Sequence, residues 1–345
     1  MHLFLKAAMK RRLNMYAKLR NYLTAFAAIA ATLMAPEAMA KDKVVFQIDG
    51  NVVPFYAPLY AGVENGFFEE QDIEVEFLYA GASDILTNIA AGNVDFGFPN
   101  GDAVVAAAAS GLPVKVVHTT YQRGIGALLA KSESGIETYA DLKGKTVAVT
   151  SLGSPNYLQL QVGLIQAGLT IDDVKVEVVS SGAIVQTLQS DDVDAIVFSE
   201  LRKYVLEAGG FKVNMILSND FLPSFGNVVV TSAETLADNP DLVKRFTAAV
   251  TKSYQWVIDG NVDAALQISM DKYTPTWADQ MPILSTAFTN TFVASVWQSP
   301  LTAERGLGAA NLEAWQKNAD ILAEYDVIDT APNAADFVVD PSDIK

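Results

Sequence analysis

Apolar residues recur in short blocks along the first two thirds of the chain, and the spacing between blocks switches from two to about 3.6 residues. Residues 43–48 (KVVFQI) and 73–79 (IEVEFLY) read as strands, and residues 57–70 between them carry apolar side chains at helical intervals. The alternation continues with helices over 84–91 and 102–110 and strands over 94–98 and 114–120. This β-α-β-α order predicts mainly parallel sheets with helices on both faces, an α/β fold. A second series opens at residues 134–150 (SGIETYADLKGKTVAVT), where Asp141 suits a cap, Gly144 a tight bend and residues 146–150 a buried strand. Residues 225–231 (FGNVVVT) read as the last strand. From 234 to 324 the pattern turns helical, including residues 240–259 and 308–325. Trp256, Trp277, Trp297 and Trp315 all lie in this part, where packing between helices is their expected role.

An internal echo points to two similar units. Residues 86–98 (LTNIAAGNVDFGF) give a helix, a turn, and Val94-Asp95 opening an apolar strand. Residues 185–198 (VQTLQSDDVDAIVF) repeat this with Val193-Asp194, 99 residues later. Both strands end abruptly in polar residues, as strands do when they stop at a cleft.

The N-terminus sets a compartment. Lys6, Lys10, Arg11, Arg12, Lys18 and Arg20 precede an uncharged apolar run over 22–35, followed by Pro36-Glu37-Ala38-Met39-Ala40. That order predicts a secretory signal peptide over residues 1–40, cleaved after Ala40. The run is short for a bilayer span. Met15, followed by Lys18 and Arg20, would serve as a start as well as Met1. With no cysteine, the chain lacks disulfides and the lipid-bearing residue of a tethered protein, so a freely diffusing periplasmic protein is expected. Beyond residue 40, 305 residues carry 18 basic and 39 acidic side chains, a net charge near −21. So acidic a surface argues against nucleic acid or anionic lipid as partners. The length favours two lobes over one.

Several runs now in view, Ala57-Pro58-Leu59-Tyr60-Ala61, Glu64-Asn65-Gly66-Phe67-Phe68 and Ile73-Glu74-Val75-Glu76, are joined by Ala91-Gly92-Asn93-Val94-Asp95-Phe96-Gly97 and Asp141-Leu142-Lys143-Gly144-Lys145. In this order they resemble the periplasmic solute-binding proteins of the nitrate/sulfonate/taurine and thiamine-pyrimidine-precursor group, across nearly all of the chain beyond residue 40. Gln71-Asp72-Ile73 departs from that group's customary Gly-Leu. The resemblance implies a two-lobed type II binding-protein fold with two hinge-crossing strands, closing on its ligand. It places lobe one at residues 41–128 and 230–345 and lobe two at 129–229. It also implies a small-molecule ligand, the permease and ATPase subunits of an ABC importer as partners, a monomer, and no cofactor. The group shares sequence with the yeast enzyme that makes the pyrimidine of thiamine, but that enzyme's cysteine cluster is absent here.

In open parallel sheets ligands sit beyond the carboxyl ends of the strands. Those ends supply the candidate ligand-binding residues: Asp49, Asn51 and Tyr56; Asn100 and Asp102; Gln122; Ser151, Ser154 and Asn156; and Glu200. Asp49 ranks first. Pyrimidine-binding relatives usually carry an aspartate here followed by an aromatic, whereas this chain has Gly50. A carboxylate in a cleft accepts from ring or amino N–H groups, and capping its own turn weighs equally as a role. Tyr56 is placed either to stack on a flat ligand or to pack beneath the helix. Residues 151–157 offer free backbone N–H groups at a helix start, a generic anion site. Against an anion stand Asp49, Asp102 and Glu200, with only Arg123 and Arg202 opposing them, because a buried anion beside unpaired carboxylates is costly. A neutral or cationic nitrogen-containing ring is therefore expected, pyrimidine- or thiamine-precursor-like. A sulfonate, nitrate or aromatic carboxylate is the alternative, and a pyrimidine-precursor-synthase-like enzyme the alternative of another class. Beyond residue 40 the only histidine is His118, expected to be structural, and no nucleophile elbow, P-loop or His-rich metal motif is present, so neither catalysis nor a metal site is expected.

Overall fold

The computed structural model describes residues 41–152 and 154–345, so the signal segment expected over 1–40 lies outside the described residues. Strand β1 (Asp42–Asp49) pairs in parallel with β2 (Ile73–Ala80), placing Phe46 beside Phe77. The connecting helix Ala57–Glu64 is shorter than the apolar spacing predicts. Gly66 takes a positive φ of 76°, which ends the helix, and the following turns bury Phe68 beneath it. The next strands are β3 (Phe96–Phe98), β4 (Val114–His118), β5 (Gly126–Lys131), β6 (Thr146–Val149) and β7 (Lys175–Val178). Strands β8 (Ala195–Ser199), β9 (Val213–Leu217) and β10 (Val229–Ser232) complete the set.

These strands form two sheets of like topology, β2-β1-β3-β10-β4 and β7-β6-β8-β5-β9. In each, three parallel strands are followed by an antiparallel one, β10 or β5, whose stretch of chain has just left the other sheet. The sequence echo has a structural meaning. Asp95 accepts the backbone N–H of Val45 on Oδ2 at 2.7 Å, and its own N–H donates to Val45 O. Asp194 does the same with Thr146, at 2.8 Å and 2.9 Å. Each aspartate ties the mouth of its strand to the neighbouring parallel strand, so the Val-Asp pair marks one topological position in both lobes.

Two segments, 119–125 and 218–228, connect the sheets. They run antiparallel and bond to one another: Tyr121 N–H to Asn227 O at 3.1 Å, Gly226 N–H to Arg123 O at 3.2 Å, and Gly124 N–H to Ser224 O at 2.8 Å. Gly126–Leu128, expected in lobe one, pair instead with Ser199–Val197 in the second sheet. Val229, expected in lobe two, pairs with His118 in the first. The strand predicted from residue 225 starts only at Val229, because Phe225 lies in the crossing segment with its ring stacked on Trp315 at 4.0 Å.

After β10 the described chain is helical, except for isolated bridges of Gly308 to Thr119 and Val338 to Val116. Helix Pro240–Ile258 lays Phe246 on the first sheet, stacked on Phe96 at 3.9 Å and edge-on to Phe46 at 5.0 Å. Trp297 is fully buried among the rings of the helical region and Trp315 between its own helix and the crossing segments, stacked on Phe225, while Trp256 and Trp277 pack at the edge of the core. His118 is buried too, with Nδ1 2.8 Å from Thr120 Oγ1 and Nε2 3.1 Å from Thr251 Oγ1; burial lowers its pKa to about 4, which keeps the ring neutral. No helix of the described residues is long and apolar enough to cross a membrane.

Candidate functional site

Where the carboxyl ends of β1, β3 and β8 meet the start of helix Pro155–Gln166, the lobes enclose a cavity of about 390 Å³. Lobe one contributes Asp49, Phe55, Tyr56, Asn100, Asp102 and Phe292. The crossing segments contribute Tyr121, Phe225 and Asn227, and lobe two contributes Asn156, Gln159, Phe198 and Arg202. Its size and mixed aromatic-polar wall are those of a small-molecule site. Among the described residues, no three His, Cys, Asp or Glu side chains converge to hold a metal ion.

Asp49 ends β1, and Gly50 follows at φ 81°, a backbone conformation that lets the chain turn sharply away from the cleft. The Asp49 carboxylate accepts from the Asn100 side chain and from the backbone N–H groups of Ala82 and Gly50. Burial outweighs these bonds and leaves its pKa raised. It is thus both a turn acceptor and a cavity wall. Tyr56 is locked beside it, its hydroxyl donating to Asp49 O at 2.6 Å and its ring edge-on to Phe98 at 6.1 Å. Asn100 caps helix Gly101–Ala109 by accepting from Ala103 N–H at 3.0 Å, which frees its amide N–H to reach Asp49. Asp102, in that helix's first turn, keeps part of its surface open to the cavity. The surrounding protein nevertheless desolvates its carboxyl and pushes its pKa up to about 6, against the lowering effect of Asn318 Nδ2, which donates at 3.1 Å.

On lobe two, helix Pro155–Gln166 starts at Ser154, whose hydroxyl accepts from Tyr157 N–H at 3.2 Å. Asn156 faces the cavity from its first turn, and Ser154 lines an adjoining cavity of about 460 Å³ that shares Asp49, Asn100 and Asp102. Gln159 is 4% exposed, and its Oε1 has no hydrogen-bond partner. The Arg202 guanidinium lies over the Phe198 ring at 4.8 Å, and its Nε is buried and unpartnered. Burial lowers the Arg202 pKa.

The cavity therefore gathers Asp49, Tyr56, Asn100, Asp102 and Asn156 of the residues singled out from sequence. Four others do not line either cavity. Asn51 and Ser151 are exposed. Gln122 donates its amide to Ala309 O at 3.1 Å and accepts from Ser299 Oγ at 2.9 Å, fastening the first crossing segment to the C-terminal region. Glu200 is buried against Arg123, whose Nη1 and Nη2 donate to its two oxygens at 2.6 and 3.2 Å. Gln159, Arg202, Asn227 and the rings of Phe55, Phe198, Phe225 and Phe292 were not singled out as ligand contacts. Arg202 follows β8 as the other candidates follow their strands, and that position was the available signal.

The NMT1/THI5-like family pattern matches residues 53–264, more than half of the chain. The chain is 26% identical over 270 residues to the riboflavin-binding protein RibY of Chloroflexus aurantiacus, covering 77% of this chain and 76% of that one. It is 24% identical over 247 residues to 4-amino-5-hydroxymethyl-2-methylpyrimidine phosphate synthase of Aspergillus parasiticus, over 64% and 68% of the two chains. Among solved structures it matches the periplasmic aliphatic sulphonate-binding protein SsuA of Escherichia coli with a TM-score of 0.63 at 17% identity, over 88% of this chain and 94% of that one. The last likeness is one of fold, that of the periplasmic binding proteins. By its sequence across both lobes, this chain belongs to the NMT1/THI5-like family.

Proposed function

We propose that this protein is the periplasmic substrate-binding component of an ABC importer and that it captures a flat, nitrogen-containing ring, pyrimidine- or thiamine-precursor-like, between its lobes. The observation that carries the reading is the pairing of aromatic walls with carboxylates in one cavity. Phe55, Tyr56, Tyr121 and Phe225 give ring faces and edges, while Asp49 and Asp102 give acceptors for ring or amino N–H groups. The relatives named for riboflavin binding and for pyrimidine synthesis handle rings of this kind. A thermal-shift screen of residues 41–345 against pyrimidines, flavins, sulfonates and aromatic carboxylates tests it. Stabilisation by rings is expected, and stabilisation by sulfonates or carboxylates alone contradicts the ring preference.

Arg202 favours a second reading, a sulfonate or carboxylate ligand, because its guanidinium lines the cavity without an ion pair among the described residues. The two carboxylates opposite weigh against a full anion. A catalytic reading comes from the relatives named as synthases. Mass spectrometry after incubation separates it, since a binding protein returns its ligand unchanged.

A further inference from the structure

The ring cavity does not end at its polar edge. Asp49, Asn100 and Asp102 line it on one side and the adjoining cavity of about 460 Å³ on the other. Each of the two has the size of a whole small-molecule site, so a bare pyrimidine ring occupies one at most. Their walls differ. The aromatic side chains of the cleft, Phe55, Tyr56, Tyr121, Phe198, Phe225 and Phe292, all line the first cavity, and so does Arg202. Among the described residues that line it, the second has neither an aromatic nor a basic side chain. It carries Ser83, Asp84 and Ser154 besides the shared acids, and Leu158 of lobe two bounds it by packing on the lobe-one cluster that contains Leu322.

Three helices start at this second cavity, Ala82–Ala90, Gly101–Ala109 and Pro155–Gln166. A helix start attracts anions through its unsatisfied N–H groups and its dipole. Here each start is served from within the chain. Asp49 accepts from Ala82 N–H, Asn100 Oδ1 from Ala103 N–H and Ser154 Oγ from Tyr157 N–H, and Pro155 has no N–H to give. Asp84 and Asp102 place carboxylates in the first turns of the first two helices. Acceptors and negative charge therefore stand where an anion would otherwise sit.

We infer that the second cavity receives a side arm of the ring ligand, one that carries hydrogen-bond donors and no negative charge, so that the cleft selects an unphosphorylated ring compound over its phosphate ester. The inference rests on the ring-binding reading above and adds the rest of the ligand to it. Hydroxyl and ammonium groups both donate to carboxylate and hydroxyl oxygens. A phosphate ester brings about two negative charges and acceptor oxygens, and it would meet Asp49, Asp84 and Asp102. Reversing the ligand does not relieve this. It brings the phosphate towards Arg202 but leaves the ring in a cavity without aromatic faces.

Titration calorimetry of residues 41–345 with two matched sets tests this. One is lumichrome, riboflavin and flavin mononucleotide, with hydroxyls on the arm. The other is 4-amino-2,5-dimethylpyrimidine, thiamine and thiamine monophosphate, with a cationic arm. In the set that binds, the armed ring should bind at least about tenfold more tightly than both the bare ring and the phosphate ester. Added salt should shrink the phosphate penalty, because partly exposed carboxylates are screened. Ala106 lines the second cavity and not the first. Ala106→Leu should weaken the armed ring about tenfold and leave the bare ring within about threefold, which also shows that the variant is folded. A bare ring or a phosphate ester that binds as tightly as the armed ring overturns the inference and leaves the ring-binding function standing. Failure to bind any compound of either set overturns both.

Discussion

Arg123 and Glu200 form a two-point ion pair, with Nη1–Oε1 at 2.6 Å and Nη2–Oε2 at 3.2 Å, between the first crossing segment and the turn after β8. The same turn is tied by Glu200 N–H donating to Ile125 O at 2.8 Å, and Arg123 reaches on to Ser295 Oγ of lobe one at 2.9 Å. The side chains are 17% and 5% exposed, so the pair sits largely out of water at the hinge. Glu200→Leu removes one charge and strands the other. The expected outcome is a loss of about 3 kcal/mol in stability, read from the midpoint of urea unfolding. An unchanged midpoint would show that water already compensates Arg123.

Asp102 gives the protein a pH signature. In the folded state its pKa is raised to about 6 from 3.8. Between those values the native state holds a proton that the unfolded chain has lost, so this group's contribution to stability rises as pH falls. Above pH 6 the ionised carboxylate is a burden of up to about 3 kcal/mol. Asp102→Asn removes that burden, and the substituted amide's oxygen still accepts from Asn318. The ligand-free variant should melt above the unsubstituted protein at pH 7, with the gap closing as pH approaches 4. A gap that is constant across this range would refute the assignment.

Much of the architecture was legible because it is written in local pattern. The Val94-Asp95 and Val193-Asp194 pairs, read as an echo, occupy one topological position in the two sheets. Asp49, Asn100 and Asp102 were found because a residue that follows a parallel strand is carried to the cleft by the sheet itself. Glu200 occupies such a position too, but its partner Arg123 lies 77 residues earlier and is brought in by the crossing segment. No local pattern announces that meeting. Gln159 was invisible for a different reason. It sits more than a turn into an amphipathic helix, where a glutamine reads as a solvent-facing residue until Gly126 is seen beneath it.

The bare backbone of Gly126 leaves the space that the Gln159 amide occupies. A Cβ there would stand 2.1 Å from Oε1, so Gly126→Ala displaces the amide, which lines the cavity. Ligand affinity is expected to fall roughly tenfold, the equivalent of one well-placed hydrogen bond, while the far-ultraviolet circular dichroism spectrum stays as it was. Unaltered affinity would place the amide's working position elsewhere.

The most direct test is calorimetric titration of residues 41–345, and of the same protein carrying Asp49→Ala, with flavin and pyrimidine rings. If the cleft holds a flat nitrogen-containing ring against Asp49, one ring binds at a single site, and the substitution weakens it by about 1–3 kcal/mol. Binding confined to sulfonates or carboxylates, or ring binding indifferent to Asp49→Ala, would contradict it.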